Sequence, residues 1–210
     1  MFLCLLEKGL YTMSLLSLST SSAPNSLNYR GLLLLNELVD LGTIDGLHDY
    51  NIPVINVNGM NAVLPSEVQR LIDHMYKFDR FIFTVPEFTG MMSASTKNLL
   101  DWLVVASNMN LDHGKGYPFS DKHVMIFTFT PSGSEGGGRH MPQTKEVFKK
   151  LGANVIHTEV FTYGWKNVVP GNTEPFKDAA DRINNYLNYK PDQSKAFAEK
   201  YNEWDTKWLA

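Results

Sequence analysis

Three short segments hold most of the side chains in this chain whose types and spacing suit binding chemistry. The first is Ser19-Thr20-Ser21-Ser22-Ala23-Pro24-Asn25-Ser26-Leu27-Asn28, with five hydroxyl side chains in ten residues. At the start of a helix such a segment suits a phosphate, because the helix N-terminus offers unpaired N–H groups and the positive end of its dipole. Ser19, Thr20, Ser21, Ser22 and Ser26 add hydroxyl donors, and Asn28 adds an amide. The segment contains no lysine or arginine, and the sequence has neither G-x-x-x-x-G-K-[ST] nor G-x-G-x-x-G. That excludes an ATP P-loop and a dinucleotide turn. A neutral, hydroxyl-lined cradle suits a terminal monophosphate; a serine-rich helix cap is the other use of the same residues.

The second segment, Pro86-Glu87-Phe88-Thr89-Gly90, offers aromatic surface, backbone N–H groups and a glycine for close approach. Glu87 reads as a cap or solvent-facing residue, with a site carboxylate as the alternative. The third is Pro131-Ser132-Gly133-Ser134-Glu135-Gly136-Gly137-Gly138-Arg139. Its glycines let backbone approach a flat ring without side-chain interference; taken alone, it also reads as a flexible surface loop. The six histidines form no H-x-x-x-H pair and have no cysteine nearby, so no metal centre is expected, and His123 reads as structural. No G-x-S-x-G nucleophile elbow is present.

The elements that must position these segments follow from periodicity. A first strand ends over residues 15–18. A helix follows with Leu32, Leu33, Leu35, Leu38 and Val39 as its stripe and Gly42 as its stop. The second strand is either 43–47 or 52–57, the latter carrying Pro53. Pro65 opens a helix with Val68, Leu71, Ile72 and Met75 on one face. Residues 80–85 are a nearly continuous apolar run, as in a strand buried on both faces. A helix over 95–107, a loop over 108–121, a strand over 124–129, a helix over 143–151, a strand over 154–161 and a helix over 176–187 complete the pattern. Strands alternating with helices predict an α/β protein. The expected form is a flavodoxin-like, doubly wound, five-stranded parallel sheet of order 2-1-3-4-5 with helices on both faces. In that order strands one, three and four are neighbours, and the three segments meet at the sheet's carboxyl edge.

Whole-chain properties set the frame. The 210 residues suit a single domain over 13–190, flanked by an extension, 1–12, and a polar, partly helical tail, 191–210, with Phe197, Tyr201, Trp204 and Trp208 spaced to dock it. A net charge of −3 and scattered lysines and arginines argue against nucleic acid. Cys4 is the single cysteine and cannot form an internal disulfide, which fits a reducing cytoplasm. The N-terminal apolar runs are too short to span a bilayer, and Glu7-Lys8 sits where a signal peptide would be apolar, so no membrane association is expected. Met13 is an alternative start.

Pro86-Glu87-Phe88-Thr89-Gly90 followed by Lys97-Asn98-Leu99-Leu100-Asp101-Trp102 resembles the P-E-Y-N-G…K-N-A-I-D-W signature of the NADPH-dependent FMN reductases, which include quinone, azo-dye and chromate reductases. Residues 20–28 are similar to that family's G-S-x-R-x-x-S-x-N phosphate loop. Residues 122–130 with 132–139 resemble its K-P-V-x-I…G-G-G-R segment, and Leu151-Gly152-Ala153 its L-G-A. Phe88 and Thr89 replace the motif's tyrosine and asparagine, Thr20 replaces the glycine of the phosphate loop, the loop arginine is missing, and Ser134-Glu135 is extra. The resemblance implies FMN as cofactor, NADPH or NADH as donor, and a small acceptor such as a quinone, an azo compound or free flavin. It implies ping-pong hydride transfer through flavin N5, with no protein acid or base. Thr20, Ser21, Ser26 and Asn28, beside Ser19, would hold the FMN phosphate. Pro86, Glu87, Phe88, Thr89 and Gly90 would flank the isoalloxazine, and Ser132, Gly133, Gly136 and Gly137 would border its other edge. The family's usual homodimer or homotetramer would place Asn98 and Trp102 at an interface. Two further readings are a non-catalytic flavodoxin-type carrier, against which the small net charge argues, and a flavin-free structural or regulatory relative.

Overall fold

The structure is a computed structural model that describes residues 14–56, 63–109, 116–131, 139–162 and 167–188. Residues 1–12, the tail over 191–210, and Ser132, Gly133, Gly136 and Gly137 lie outside the described residues.

Strands β1 (Leu15–Ser19), β2 (Thr43–Gly46), β3 (Arg80–Thr84), β6 (His123–Phe129) and β7 (Asn154–Phe161) form one parallel sheet. Its order is β2-β1-β3-β6-β7, which is 2-1-3-4-5 when only these five strands are counted. The two short strands β4 (Glu87–Phe88) and β5 (Met91–Met92) make an antiparallel hairpin just beyond β3. Successive side chains of a strand point to opposite faces, and both faces of this sheet are covered. Leu15, Ile82, Phe127 and Phe129 pack with α1 (Leu27–Asn36) and α5 (Lys177–Leu187). Leu16, Leu18, Phe81, Phe83 and Ile126 pack with α2 (Ser66–Met75), α3 (Ala94–Ser107) and α4 (Met141–Lys150). β3 is buried along its whole length, which is why it reads as a continuous apolar run.

The structure resolves the choice of second strand in favour of the segment starting at Thr43; residues 51–56 carry no strand. It corrects the α1 stripe. The helix ends at Asn36, its buried side comprises Leu27, Asn28, Gly31, Leu32, Leu34 and Leu35, and Leu33 is exposed. Gly42 lies in the turn into β2 rather than at the helix end. Arg80 is a charged residue in a buried strand. Its guanidinium lies over the Tyr186 ring and donates to the carbonyl oxygens of Leu187 (2.7 Å) and Tyr186 (3.4 Å). It thereby caps the last turn of α5, where unpaired carbonyls and the negative dipole end favour a cation.

Gly31 is where α1 crosses the end of β6. A Cβ there would lie 2.3–2.5 Å from ring atoms of Phe129, whose ring is stacked on Phe161 at 4.4 Å between centroids. Alanine gains about 1 kcal/mol in helix propensity, but overpacking a filled core costs roughly 1–3 kcal/mol. Because the ring is held by its neighbour, the cost wins. Gly31→Ala should lower the thermal midpoint by about 2–6 °C in a circular-dichroism melt; an unchanged or raised midpoint would show that Phe129 moves freely.

Candidate functional site

The segments that follow β1 and β3 are tied to each other by hydrogen bonds, and the start of α1 is tied to the end of β6. Thr20, the first residue after β1, donates its backbone N–H to Thr84 O (2.9 Å) and its hydroxyl to the same carbonyl (2.9 Å). Its Oγ1 also lies 2.6 Å from Thr96 Oγ1. Ser93 caps α3, accepting from Thr96 N, and its hydroxyl lies 2.9 Å from both Thr96 Oγ1 and Ser95 Oγ. Ser95 Oγ donates to Thr20 O at 2.7 Å. Ser93 N donates to Pro86 O (2.8 Å), which closes the base of the β4–β5 hairpin. The Asn28 side chain spans from α1 to the end of β6, donating to Phe129 O (3.2 Å) and accepting from Phe129 N (3.1 Å).

These bonds sort the predicted residues. Thr20 and Asn28 are buried and their polar side-chain atoms bond inside the protein. Ser19 is also buried, and its Oγ has no partner among the described residues. Ser21 is largely buried, with its Oγ accepting from Ala23 N. Ser26 is half-buried and is the N-cap of α1, with Oγ accepting from Tyr29 N at 3.1 Å. The cap uses a lone pair and leaves the hydroxyl proton for an outside acceptor, so cap and cradle are compatible roles. The first turn of α1 has no acidic residue, and the first N–H groups of any helix lack partners within it.

Pro86 is buried, Glu87 and Gly90 are half-buried, and Phe88 and Thr89 are exposed. Thr89 (φ 51°) and Gly90 (φ 75°) are both left-handed, the signature of the mirror-image turn that joins two-residue hairpins. A Cβ on Gly90 would lie 3.9 Å from Arg139 Cδ, so the hairpin tip sits against the end of the third loop. Next to Arg139, His140 is fully buried, with Nδ1 3.0 Å from Thr144 Oγ1 and Nε2 without a partner among the described residues. Burial holds its imidazole below the usual range, and the Glu87 carboxylate opposes that shift. Sequence reasoning gave no role to Ser93, Ser95, Thr96 or His140. The S-A-S-T run opening α3 was the available signal for the first three.

Asn98 and Trp102 make their hydrogen bonds within the chain. Asn98 Oδ1 accepts from Ile55 N (2.8 Å), and Asn98 Nδ2 and Trp102 Nε1 both donate to Pro53 O (2.9 and 2.8 Å). They pin the segment after β2 to α3. Among the described residues no group of three or more His, Cys, Asp or Glu is placed to hold a metal ion, and no helix is long and apolar enough to cross a membrane.

FMN requires donors for its phosphate and a flat, accessible ledge for its ring. A helix N-terminus without acidic residues, the serines at its mouth and an exposed aromatic hairpin with Arg139 at its tip fit that group. In this sheet order the ligand crevice is at the carboxyl ends of β1 and β3. The fold is that of a flavodoxin-like α/β protein, a class whose expected ligand position is the β1/β3 switch point. The sequence profile of the NADPH-dependent FMN reductases matches residues 13–166, and the chain belongs to that enzyme family. It is 26% identical over 172 residues to an FMN-dependent NADH:quinone oxidoreductase of Mesomycoplasma hyopneumoniae strain 232, covering 79% of this chain and 81% of that protein. Among solved structures it is similar to FerB, a flavoenzyme NAD(P)H:(acceptor) oxidoreductase from Paracoccus denitrificans (TM-score 0.62, 17% identity, 89% of this chain and 96% of that one). It is also similar to an FMN-dependent NADH-azoreductase from Bacillus anthracis solved in complex with FMN (TM-score 0.51, 13% identity, 81% and 99%).

The hairpin turn carries a measurable strain. A non-glycine residue in the left-handed region costs about 1–2 kcal/mol, and a β-branched one is poorly suited to it. Asparagine tolerates the conformation. Thr89→Asn should therefore stabilise the protein by about 1 kcal/mol and raise its thermal midpoint by roughly 2–4 °C. A lowered midpoint would mean that the Thr89 hydroxyl, which donates to Phe88 O at 2.7 Å, outweighs the strain.

Proposed function

We propose that this chain is an FMN-dependent NAD(P)H oxidoreductase that passes electrons by a ping-pong mechanism to quinones, azo compounds, free flavin or similar small acceptors, as a cytoplasmic homodimer or homotetramer. The observation that carries the reading is the N-terminus of α1 seated at the carboxyl end of β3, where Thr84 Oγ1 donates to Asn28 O (3.2 Å), in a chain whose family and relatives use FMN. Bound FMN supplies the redox chemistry, accepting hydride from the nicotinamide and delivering electrons to the acceptor. The chain supplies binding and orientation. Ser21, Ser26 and the first N–H groups of α1 hold the phosphate, with the buried Ser19 hydroxyl beneath them, and Thr20 and Asn28 fix the loop. Pro86, Glu87, Phe88, Thr89 and Gly90 flank the ring largely through backbone, and Ser132, Gly133, Gly136 and Gly137 border its other edge. Exposed Val104 on α3 and Val54 on the adjoining segment support a subunit contact on that side.

Two measurements test this. FMN should raise the melting temperature of flavin-free protein, since a ligand at one hundred times its Kd adds about 2.7 kcal/mol. The loaded protein should oxidise NADH or NADPH continuously when a quinone is present; a carrier would show almost no steady-state turnover. Ser26→Asp tests the cradle. Aspartate caps helices as well as serine, so α1 should persist, while a carboxylate facing the phosphate should weaken FMN binding at least about tenfold. Unchanged FMN affinity in Ser26→Asp would place the phosphate elsewhere.

A further inference from the structure

The hairpin register puts Phe88 directly opposite Met91, and Glu87 directly opposite Met92. Residues paired across an antiparallel ribbon project from the same face, and adjacent pairs project from opposite faces. The Glu87/Met92 face turns inward, with Met92 packed on the core between the sheet and α2, α3 and α4. The Phe88/Met91 face turns outward: Phe88 is 67% and Met91 47% exposed. The other described methionines are covered. Met75, Met125 and Met141 are buried, and Met92 and Met109 are half-buried. Met91 is therefore the exposed thioether among the described residues.

Two different partners stand beside that sulfur. Across the ribbon is the Phe88 ring, at the close spacing of a directly opposed pair, and a thioether is attracted to an aromatic ring. Past the turn is Arg139, an exposed cation. A Cβ on Gly90, the residue before Met91, would lie 3.9 Å from Arg139 Cδ, so the arginine stem passes the hairpin tip. A thioether is only a weak acceptor and offers a guanidinium little. A sulfoxide is polar, and its oxygen accepts hydrogen bonds. Hydrogen peroxide is a sufficient oxidant for that change. The sulfur lone pair attacks one peroxide oxygen, the S–O bond forms and the O–O bond breaks. The sulfur gives up two electrons. The second oxygen leaves with them as hydroxide, takes the proton of the transferred oxygen and departs as water. On Met92 the new oxygen would enter the core; on Met91 it stays in solvent, beside a donor.

We propose that Met91 is a site of reversible sulfoxide formation by hydroperoxides, and that the hairpin is a two-position redox switch in which the thioether rests against Phe88 and the sulfoxide oxygen accepts from the Arg139 guanidinium. The switch uses only side chains of this chain and stands apart from the flavin-site reading. The test treats the purified chain with limiting hydrogen peroxide, stops the reaction with free methionine and maps the peptides by mass. Met91 should oxidise at least about tenfold faster than Met75, Met125 and Met141, and methionine sulfoxide reductases should restore it. The thermal midpoint should stay within about 2 °C of the untreated protein. In protein isotopically labelled on arginine, the Arg139 Nε–H signal, identified by its loss in Arg139→Gln, should shift on oxidation of the wild type and stay in place in peroxide-treated Met91→Leu. If Met91 oxidises no faster than the buried methionines, its side chain is covered in solution, by a second copy or otherwise, and the proposal is overturned. An Arg139 signal that stays still in the wild type, or moves equally in Met91→Leu, also overturns it. So does a midpoint that falls by more than about 5 °C in the oxidised wild type and not in Met91→Leu, because the sulfoxide would then disrupt the hairpin instead of switching it.

Discussion

A chain of buried hydroxyls is the interaction on which the rest of the carboxyl edge depends. Each hydroxyl has one proton, and that count fixes its direction. Thr20 spends its proton on Thr84 O, so Thr96 must donate to Thr20, and Ser93 must then donate to Thr96. Ser95 is left to donate to Thr20 O, with Ser93 Oγ as a second acceptor nearby. The chain joins β3, the loop after β1 and the N-terminus of α3 without a charged group. It is buried, so removing one member strands its neighbours at about 1–3 kcal/mol each. The hairpin hangs from the same network through Ser93 N and Pro86 O.

The sheet order makes this network possible. Because β1 lies between β2 and β3, the chain leaves β1 and β3 at adjacent points of one edge, and short hydroxyl side chains suffice to bridge them. Asn28 does the same toward β6, using its amide as a substitute peptide against Phe129. At the opposite edge Arg80 fastens α5 to β3, so that face of the sheet is anchored at both ends.

Much of this was legible in the sequence, and the exceptions have physical causes. Sheet order and layer composition follow from apolar periodicity, which burial on two faces enforces over five or more residues. A two-residue strand has no period to read, and Thr-Gly is a weak hairpin signal beside Asn-Gly, so the β4–β5 hairpin was invisible. The second strand was ambiguous because 43–46 lies at the sheet's edge and is only partly buried, which leaves little apolar signal. Hydroxyl and amide side chains carry no label for the direction they face. Ser26 at the helix mouth and Thr20 beneath it were indistinguishable until packing separated them. Arg80 looked like the ordinary polar start of a strand because its partners lie more than a hundred residues away.

The departures from the family pattern at the first loop can be argued from the same geometry. Where the family motif that this loop resembles has glycine, this chain carries Thr20, and the threonine side chain runs inward to Thr84 and Thr96. Its Cβ therefore costs the cradle no room, and its hydroxyl adds the link to α3 that a glycine lacks. The missing arginine has a different consequence. With no cation in the loop, a phosphate there would be met by N–H groups, hydroxyls and the helix dipole alone. Those donors act only at contact distance, so their strength depends on how firmly the loop is held. A phosphate site that replaced a long-range charge with short-range donors would need a rigid floor, and the buried hydroxyl chain would be one.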